Sequence, residues 1–388
     1  MKNIRFQNFY VVLILTVLPA GCYQPKTTNT DVLGYPVVID IKEAVRNAIE
    51  YKLSDVIDSI SYIPLESFIG DYVTSVNPNM IKISQNYIVA ENYFGGTEVL
   101  CFDRTGKFTS VIARRGRGPG EYNRLDDVAI DEKNGIVYVL SRNERKIFKY
   151  SFEGNFSGSL DLFRPADRII VSPAGQLLVH FLNWTGDLQY SCFLLNNDGH
   201  IVNMLENNIF YRLSAEKRLM MFAYESVCYI YNNQIHIKDK CDTLYVVEND
   251  RFIPKYIFND GIKNSNNMTQ SEYDEKMSIH YFYETNNHVL FNFRFNEKWY
   301  NAYYDKTVGK TFASSTRIIN DLDDTDFFSF NSSFYQFNNI IIKEKYAVFD
   351  REKLQEKVSP SRYLKIANML DSLDDEYAII IEILHLKQ

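Results

Sequence analysis

Short apolar runs broken by turn residues recur along most of this chain. At Val99-Leu100-Cys101-Phe102 an apolar run meets Asp103-Arg104-Thr105-Gly106, and apolar residues resume at Phe108. Asp and Gly supply turn conformations and the flanks supply strands, so the stretch predicts a β-hairpin. The unit returns at 147–156 and 192–201, and in weaker form at 244–252 and 303–312. Its glycines, Gly106, Gly154 and Gly199, fall 48 and then 45 residues apart.

Two helical patterns flank these repeats. Asp40-Ile41-Lys42-Glu43 carries the acceptor and the later Glu of a capping box, and Ile41, Ala44, Val45, Ala48 and Ile49 follow at helical spacing. Ser359-Pro360 opens the second, with Tyr363, Ile366, Ala367, Leu370 and Leu373 on one face. The stretch 53–66 reads as a strand closed by Pro64, and 377–386 (YAIIIEILHL) as a strongly apolar one. A period of about 40 to 50 residues with four strands per unit predicts a β-propeller. The fold expected is therefore all-β, a six-bladed β-propeller of four-stranded antiparallel blades over 36–388, with short N- and C-terminal helical segments. A ring must pair its last strand near its first or leave an edge exposed. The strand at 377–386 is thus expected beside one from near Ile57 to Leu65.

Composition agrees with strands. The 388 residues include 28 Tyr and 27 Phe against 17 Gly and 10 Pro, and aromatic side chains suit pleated, half-buried surfaces. A net charge of -7 argues against nucleic acid, whose backbone needs clustered Lys and Arg. Cys101, Cys192, Cys228 and Cys241 form no CxxC or zinc-ligand pattern. They read as small buried strand residues, with a Cys228–Cys241 disulfide open as an alternative in an oxidising compartment.

The first residues form a separate segment. Lys2 and Arg5 precede the apolar run 11–18, which ends in Pro19-Ala20-Gly21-Cys22. A charged start, a short apolar core and small residues before a cut site describe a signal peptide over 1–21. Cys22 after Ala20-Gly21 resembles a bacterial lipobox, with Pro19 where Leu is usual. The resemblance implies lipidation at Cys22, a flexible tether over 22–35 and attachment to a membrane. Lys26 is the only charge between Cys22 and Asp31. The missing acidic cluster favours the periplasmic face of an outer membrane.

Residues 116–154 resemble an NHL-type propeller repeat: a Gly-rich start, an apolar strand ending at Asp131, a turn at Asn134-Gly135 and the hairpin described above. Further segments resemble the six-bladed β-propeller lipoproteins of Gram-negative envelopes. They are Leu53-Ser54-Asp55 through Pro64-Leu65-Glu66, Arg115 through Tyr122, and Cys241-Asp242-Thr243-Leu244-Tyr245 with Pro254-Lys255-Tyr256. The Gly118-Pro119-Gly120-Glu121-Tyr122 segment is the most specific, and the resemblance implies the propeller fold more than a particular activity.

Candidate chemistry is sparse. In the loop Arg114-Arg115-Gly116-Arg117-Gly118-Pro119-Gly120-Glu121-Tyr122, glycine N–H groups with arginines suit an anion. The candidate ligand-binding residues are Arg114, Arg115, Arg117, Glu121 and Tyr122; the alternative is an inter-blade turn. The loop is not a P-loop, since GxxxxGK(S/T) is absent. Asp321-Leu322-Asp323-Asp324-Thr325-Asp326 suggests calcium but fails as an EF-hand, with Asp326 where Gly is needed and Ser332 where Glu is. Aromatics from Tyr281 to Tyr300 could stack on sugars or pack in the core. The six histidines form no HExxH, and no GxSxG occurs. No catalytic or metal site and no cofactor is expected. The leading expectation is a non-catalytic binding or scaffolding module for an envelope protein or a glycan. The alternative is a propeller lyase or hydrolase acting on glycans or peptides at its central channel.

Overall fold

In the computed structural model, strands account for most of the described chain. The structure describes residues 36–46, 49–66, 68–69, 72–73, 76–92, 98–183, 187–207, 227–239, 242–259, 279–295, 298–315, 317–322, 330, 335–348, 355–356, 359–371 and 378–387. The expectations for residues 1–35, including Cys22, fall outside this set, as do Cys241 and Asp323 to Asp326.

Strand β1 (Val37–Asp40) and helix α1 (Ile41–Arg46) come first, then β2 (Ile57–Leu65) and a small hairpin of β3 (Phe68–Ile69) and β4 (Tyr72–Val73). The first sheet is β5 (Val76–Ile83), β6 (Tyr87–Asn92), β7 (Val99–Asp103) and β8 (Phe108–Ala113). The second is β9 (Asp127–Asp131), β10 (Ile136–Ser141), β11 (Lys146–Ser151) and β12 (Phe156–Asp161). The third is β13 (Arg168–Val171), β14 (Leu177–His180), β15 (Tyr190–Leu195) and β16 (Ile201–Glu206). A fourth group, β17 (Val227–Tyr231), β18 (Gln234–Lys238), β19 (Thr243–Glu248) and β20 (Arg251–Asn259), follows. The fifth sheet is β21 (Ile279–Glu284), β22 (His288–Phe295), β23 (Lys298–Asp305) and β24 (Lys310–Ser314). The last group is β25 (Tyr335–Phe337), β26 (Ile340–Val348) and, beyond helix α2 (Pro360–Leu370), β27 (Ala378–Leu386), with β2 added at its outer edge. The fourth and last groups share one nine-stranded sheet, joined by a parallel bridge, Ile230 to Phe337.

Neighbouring sheets are cemented by apolar clusters. Val99, Cys101 and Ile112 of the first meet Val128, Val139 and Phe148 of the second. The second meets the third through Tyr138, Leu140 and Val179, and Leu178 and Leu194 of the third meet Ile235 and Ile237 of the fourth. Tyr256 and Phe258 pack on Phe282 and Phe291, and Tyr281 and Leu290 pack on Ile341 and Leu384. The cycle closes where Ile379, Ile381 and Ile383 meet Ile81, Ile88 and Phe102 of the first sheet. The first strands lie innermost, β5 beside both β9 and β25. Four-stranded antiparallel sheets in a closed cycle, each packed face to face on the next, make a β-propeller.

The repeated hairpin has a physical cause. Asp103 Oδ1 accepts from Thr105 N at 2.8 Å and Lys107 N at 3.1 Å, closing the turn. Asp305 does the same for Thr307 N at 2.8 Å, and Asn196 for His200 N at 2.9 Å. The glycine that follows also touches the preceding sheet. A Cβ at Gly106 would lie 1.9 Å from Pro64 O, and one at Gly154 2.3 Å from Val111 O. Both have positive φ, 89° and 86°. The period in the sequence is thus the spacing of one inter-sheet contact. Gly154→Ala combines a strained backbone with a clash against main chain, and is expected to cost more than ~1 kcal/mol. Chemical denaturation would show a lowered midpoint with unchanged slope.

The closing pair forms as expected. β2 pairs antiparallel with β27, from Ile57 opposite Leu386 to Leu65 opposite Ile379. Two details differ from the sequence reading. Leu53–Asp55 is a single 3-10 turn rather than strand, held where Asp55 Oδ2 accepts from Lys52 N at 3.0 Å. Pro64 lies inside β2, paired with Ile380; an outermost strand tolerates the missing N–H. Helix α1 starts where Asp40 Oδ1 accepts from Glu43 N at 3.0 Å. Helix α2 is capped by Ser359 Oγ, which accepts from Arg362 N at 3.3 Å.

Before β2 the chain runs as a strap across two other groups. β1 adds in parallel to the outer edge of β20, Val37 opposite Tyr256. α1 lies on β24, and Ile49 N then donates to Ala313 O at 3.0 Å. Asp321 holds the strap further along, accepting from Ser54 N at 2.9 Å. The aromatic stretch is mostly core: Tyr281, Phe282, Tyr283, Phe291 and Phe293 are buried, while Trp299 is 48% exposed. Cys101 and Cys192 are buried strand residues, and Cys228 on β17 is a free thiol.

Candidate functional site

The loop joining β8 to β9 folds on itself. Gly116 N donates to Tyr122 O at 3.0 Å, and Glu121 N to Gly118 O at 3.0 Å. Gly118 N donates to Glu121 Oε2 at 2.7 Å. A side chain at Gly116 would collide with that carboxylate, its Cβ 1.9 Å from Glu121 Oε2. The backbone nest that suits an external anion thus holds the loop's own carboxylate. Tyr122 is fully buried, and burial pushes its hydroxyl far above the usual tyrosine range. Tyr150 Oη donates to Gly120 O at 2.7 Å and fixes the loop's far side. Arg114, Arg115 and Arg117 remain exposed. Of the five predicted residues, two build the loop and three are displayed by it.

A second cluster, which sequence reasoning did not single out, lies between the fourth and fifth groups. Glu284, at the end of β21, is fully buried. Its Oε1 accepts from Lys255 Nζ at 2.8 Å, Lys306 Nζ at 2.7 Å and Tyr256 Oη at 2.7 Å. Its Oε2 accepts from Tyr229 Oη at 3.1 Å. Gln336 on β25 binds its main chain, accepting from Glu284 N at 2.9 Å and donating to Glu284 O at 2.7 Å. His236 Nδ1 lies 3.2 Å from Gln234 O. A carbonyl only accepts, so this nitrogen carries the proton and Nε2 accepts from Lys255 Nζ at 2.9 Å. The carboxylate therefore ties three sheet groups together, with its bonding capacity used locally.

This cluster sets an acid limit on stability. Burial, then the Lys255 charge, lowers His236 from 6.5 to about 3. As pH falls below 6.5 the unfolded chain takes a proton that the folded chain refuses, so stability falls until about pH 3. Burial alone would raise Glu284, but Lys255 and Lys306 overcome it and hold the carboxyl at about 2, against 4.5 ordinarily. Its contribution is complete above 4.5 and lost as pH falls toward 2. Melting temperature is expected to decline below pH 6.5 and more steeply below 4.5. His236→Gln should flatten the upper part of that decline.

A third cluster lines the ring at the ends of the inner strands. Asp127 opens β9, Arg168 opens β13, Tyr335 opens β25, and Cys228 is second in β17. Lys82 of β5 reaches them, its Nζ 3.0 Å from Asp127 Oδ1 and 4.9 Å from the centre of the Tyr335 ring. Asp127 also accepts from Ile169 N through Oδ2 at 2.9 Å, linking the second and third sheets. Burial first of all pushes the Cys228 thiol up to about 12, with Arg168, Asp127, Asp239 and Lys82 all near enough to act on it. That protonated thiol is a poor nucleophile. Asp127 directly follows the arginine loop, so cluster and loop share one end of the ring. Among the described residues no group of three or more His, Cys, Asp or Glu could hold a metal ion. None of their helices is long and apolar enough to cross a membrane.

Residues 36–383 match the family described as "Domain of unknown function (DUF4934)". A protein of Bacteroides fragilis NCTC 9343 described as exported is similar in structure, with a TM-score of 0.59 and 14% identity over 91% of this chain and 99% of its own. A DUF4221 member from Bacteroides vulgatus ATCC 8482 aligns with a TM-score of 0.47 and 9% identity, over 88% of this chain and 99% of its own. BamB from Moraxella catarrhalis aligns at 0.37 and 12% identity, over 75% of this chain and 72% of its own. No curated protein matches the sequence.

Proposed function

The chain belongs to the DUF4934 family, and from that premise we propose a six-bladed propeller lipoprotein of the cell envelope that binds or scaffolds another molecule without catalysis. Its partner is an envelope protein or a glycan. The lipid sits on Cys22, after removal of a signal peptide over 1–21, and holds the ring at the periplasmic face of the outer membrane. Export agrees with the description of the Bacteroides fragilis protein that shares the fold.

The observation that carries the binding role is the loop at 114–122. Glu121 and Tyr122 hold its backbone in one shape, and Arg114, Arg115 and Arg117 project from it into solvent. Three exposed guanidinium groups on a fixed loop suit recognition, since little backbone freedom is lost on contact. Arginine also matches carboxylate and other planar oxyanion groups through its rigid fork.

The test is affinity purification of the full-length protein from native membranes in mild detergent, with mass spectrometry of what co-purifies. A stoichiometric envelope partner supports the reading. Its loss in an Arg114→Ala, Arg115→Ala, Arg117→Ala variant with unchanged melting would assign it to the loop. A protein that comes out alone and binds no glycan on an array would overturn the reading.

A further inference from the structure

An exposed aromatic side chain lies directly against the arginine loop. Phe156 opens β12, the outer strand of the second sheet, and is 44% exposed. Its inner side is held by Tyr150 and Phe148, with ring centres 5.6 and 6.2 Å away. The loop abuts it: a Cβ at Gly120 would lie 2.7 Å from Phe156 Cγ. Tyr150 Oη donates to the carbonyl of that same glycine, so one residue braces both ring and loop. A single exposed phenylalanine is ordinary on a protein surface. This one sits beside Arg114, Arg115 and Arg117, all of them exposed.

The acids of the loop and its flanks are engaged elsewhere. Glu121 accepts from Gly118 N, Glu144 from Asn123 N at 2.8 Å, and Asp126 from Arg142 N at 2.7 Å. Among the described residues no carboxylate forms an ion pair with Arg114, Arg115 or Arg117. The net charge of -7 does not oppose an anion at this spot, because exposed charges beyond about 8 Å are largely screened at physiological salt. Arginine and aromatic residues are the types enriched where proteins meet, and the guanidinium fork pairs with a carboxylate through two bonds. A sugar ring is lined with hydroxyls, whereas a peptide can place an alkyl or aryl side chain next to its carboxylates. Resting on the binding role proposed above, we infer that the loop and Phe156 together receive an acidic segment of a partner protein. Its carboxylates pair with Arg114, Arg115 and Arg117, and an apolar side chain beside them packs on Phe156.

Titration of the full-length protein with a labelled peptide of three glutamates followed by two leucines tests both contacts. Saturable binding is expected, at least tenfold weaker when glutamine replaces the glutamates and at least threefold weaker when serine replaces the leucines. Phe156→Ser should cost the same threefold; should that variant not fold, the serine peptide gives the same reading on the unaltered protein. A combined Arg115→Glu, Arg117→Glu variant should lose the glutamate peptide and gain one in which lysines replace the glutamates, a gain that misfolding cannot produce. Heparin and vesicles of anionic phospholipid are titrated alongside. No saturable binding of the glutamate peptide, equal binding of the glutamine peptide, or no gain in the charge-swapped pair would each overturn the inference. So would loop-dependent binding of heparin or vesicles without the peptide. Capture from native membranes separates the two readings. A partner held by the unaltered protein and lost with the three arginines, while no acidic peptide binds, sinks the acidic segment alone; failure of both sinks the binding role as well.

Discussion

A chain ending at Tyr377 is expected not to fold. Such a truncation removes only the last strand, β27, yet that strand is the third of four in its group, flanked by β26 and β2. Ile379, Ile380, Ile381, Ile383, Leu384 and Leu386 are each at most 4% exposed. Burying one such side chain contributes about 1.5–3 kcal/mol, so together they rival the ~5–15 kcal/mol that holds a typical domain together. The loss also strips the partner from two strand edges at once, inviting aggregation. Circular dichroism and size exclusion of the truncated protein should report a non-native, associating chain. A monomer with native strand content would show that β27 is dispensable and the closure argument wrong.

Glu284→Gln should produce a large effect for a near-isosteric substitution. The amide keeps the shape but leaves Lys255 and Lys306 without their shared counter-charge, Lys255 almost wholly buried. Removing one partner of a buried charge network typically costs about 3–5 kcal/mol, because the remaining charge stays desolvated. Alkaline conditions give the control. Burial already lowers Lys306 below its usual range, and without Glu284, which holds its charge, it loses its proton more readily. The variant should therefore recover part of its deficit between pH 7 and 9.5, whereas the wild type should gain little. Urea melts at both pH values check this; a deficit that does not change with pH would mean that lost packing, not stranded charge, is responsible.

The fold was legible in the sequence because its signals are local and repeated. Asp103, Ser151 and Asn196 with their following glycines mark hairpins wherever they occur, and the glycine contact to the preceding sheet fixes the period. The closing pair of β2 and β27 followed from counting strands in a ring. The side-chain clusters were less legible because their members lie far apart in sequence. Glu284 meets Lys255, Lys306 and Gln336 only after three sheet groups have packed. A signal was present nonetheless: Glu284 ends the apolar run Tyr281-Phe282-Tyr283, and Glu382 interrupts the isoleucines of β27. A charge inside an apolar strand must find a partner when buried, and Glu382 finds Arg362 of α2. Such positions name a buried acid without naming its partner. Asp127 and Arg168 carried no comparable mark, since a charged first residue of a strand is ordinary.

The strap of β1 and α1, with β2 after it, bears on how the chain is made as well as how it stands. Its segments are synthesised first, yet each pairs with sequence made much later: β1 with β20, α1 with β24 and β2 with β27. Throughout synthesis, these leading strands have no partner within reach. Middle sheets such as β9 to β12, built from adjacent hairpins, have low loop-closure cost and can form early. The latch between β2 and β27 can shut only after residue 386 emerges. Until that moment β2 offers a bare edge, so a nascent chain of this design depends on being shielded until β27 arrives.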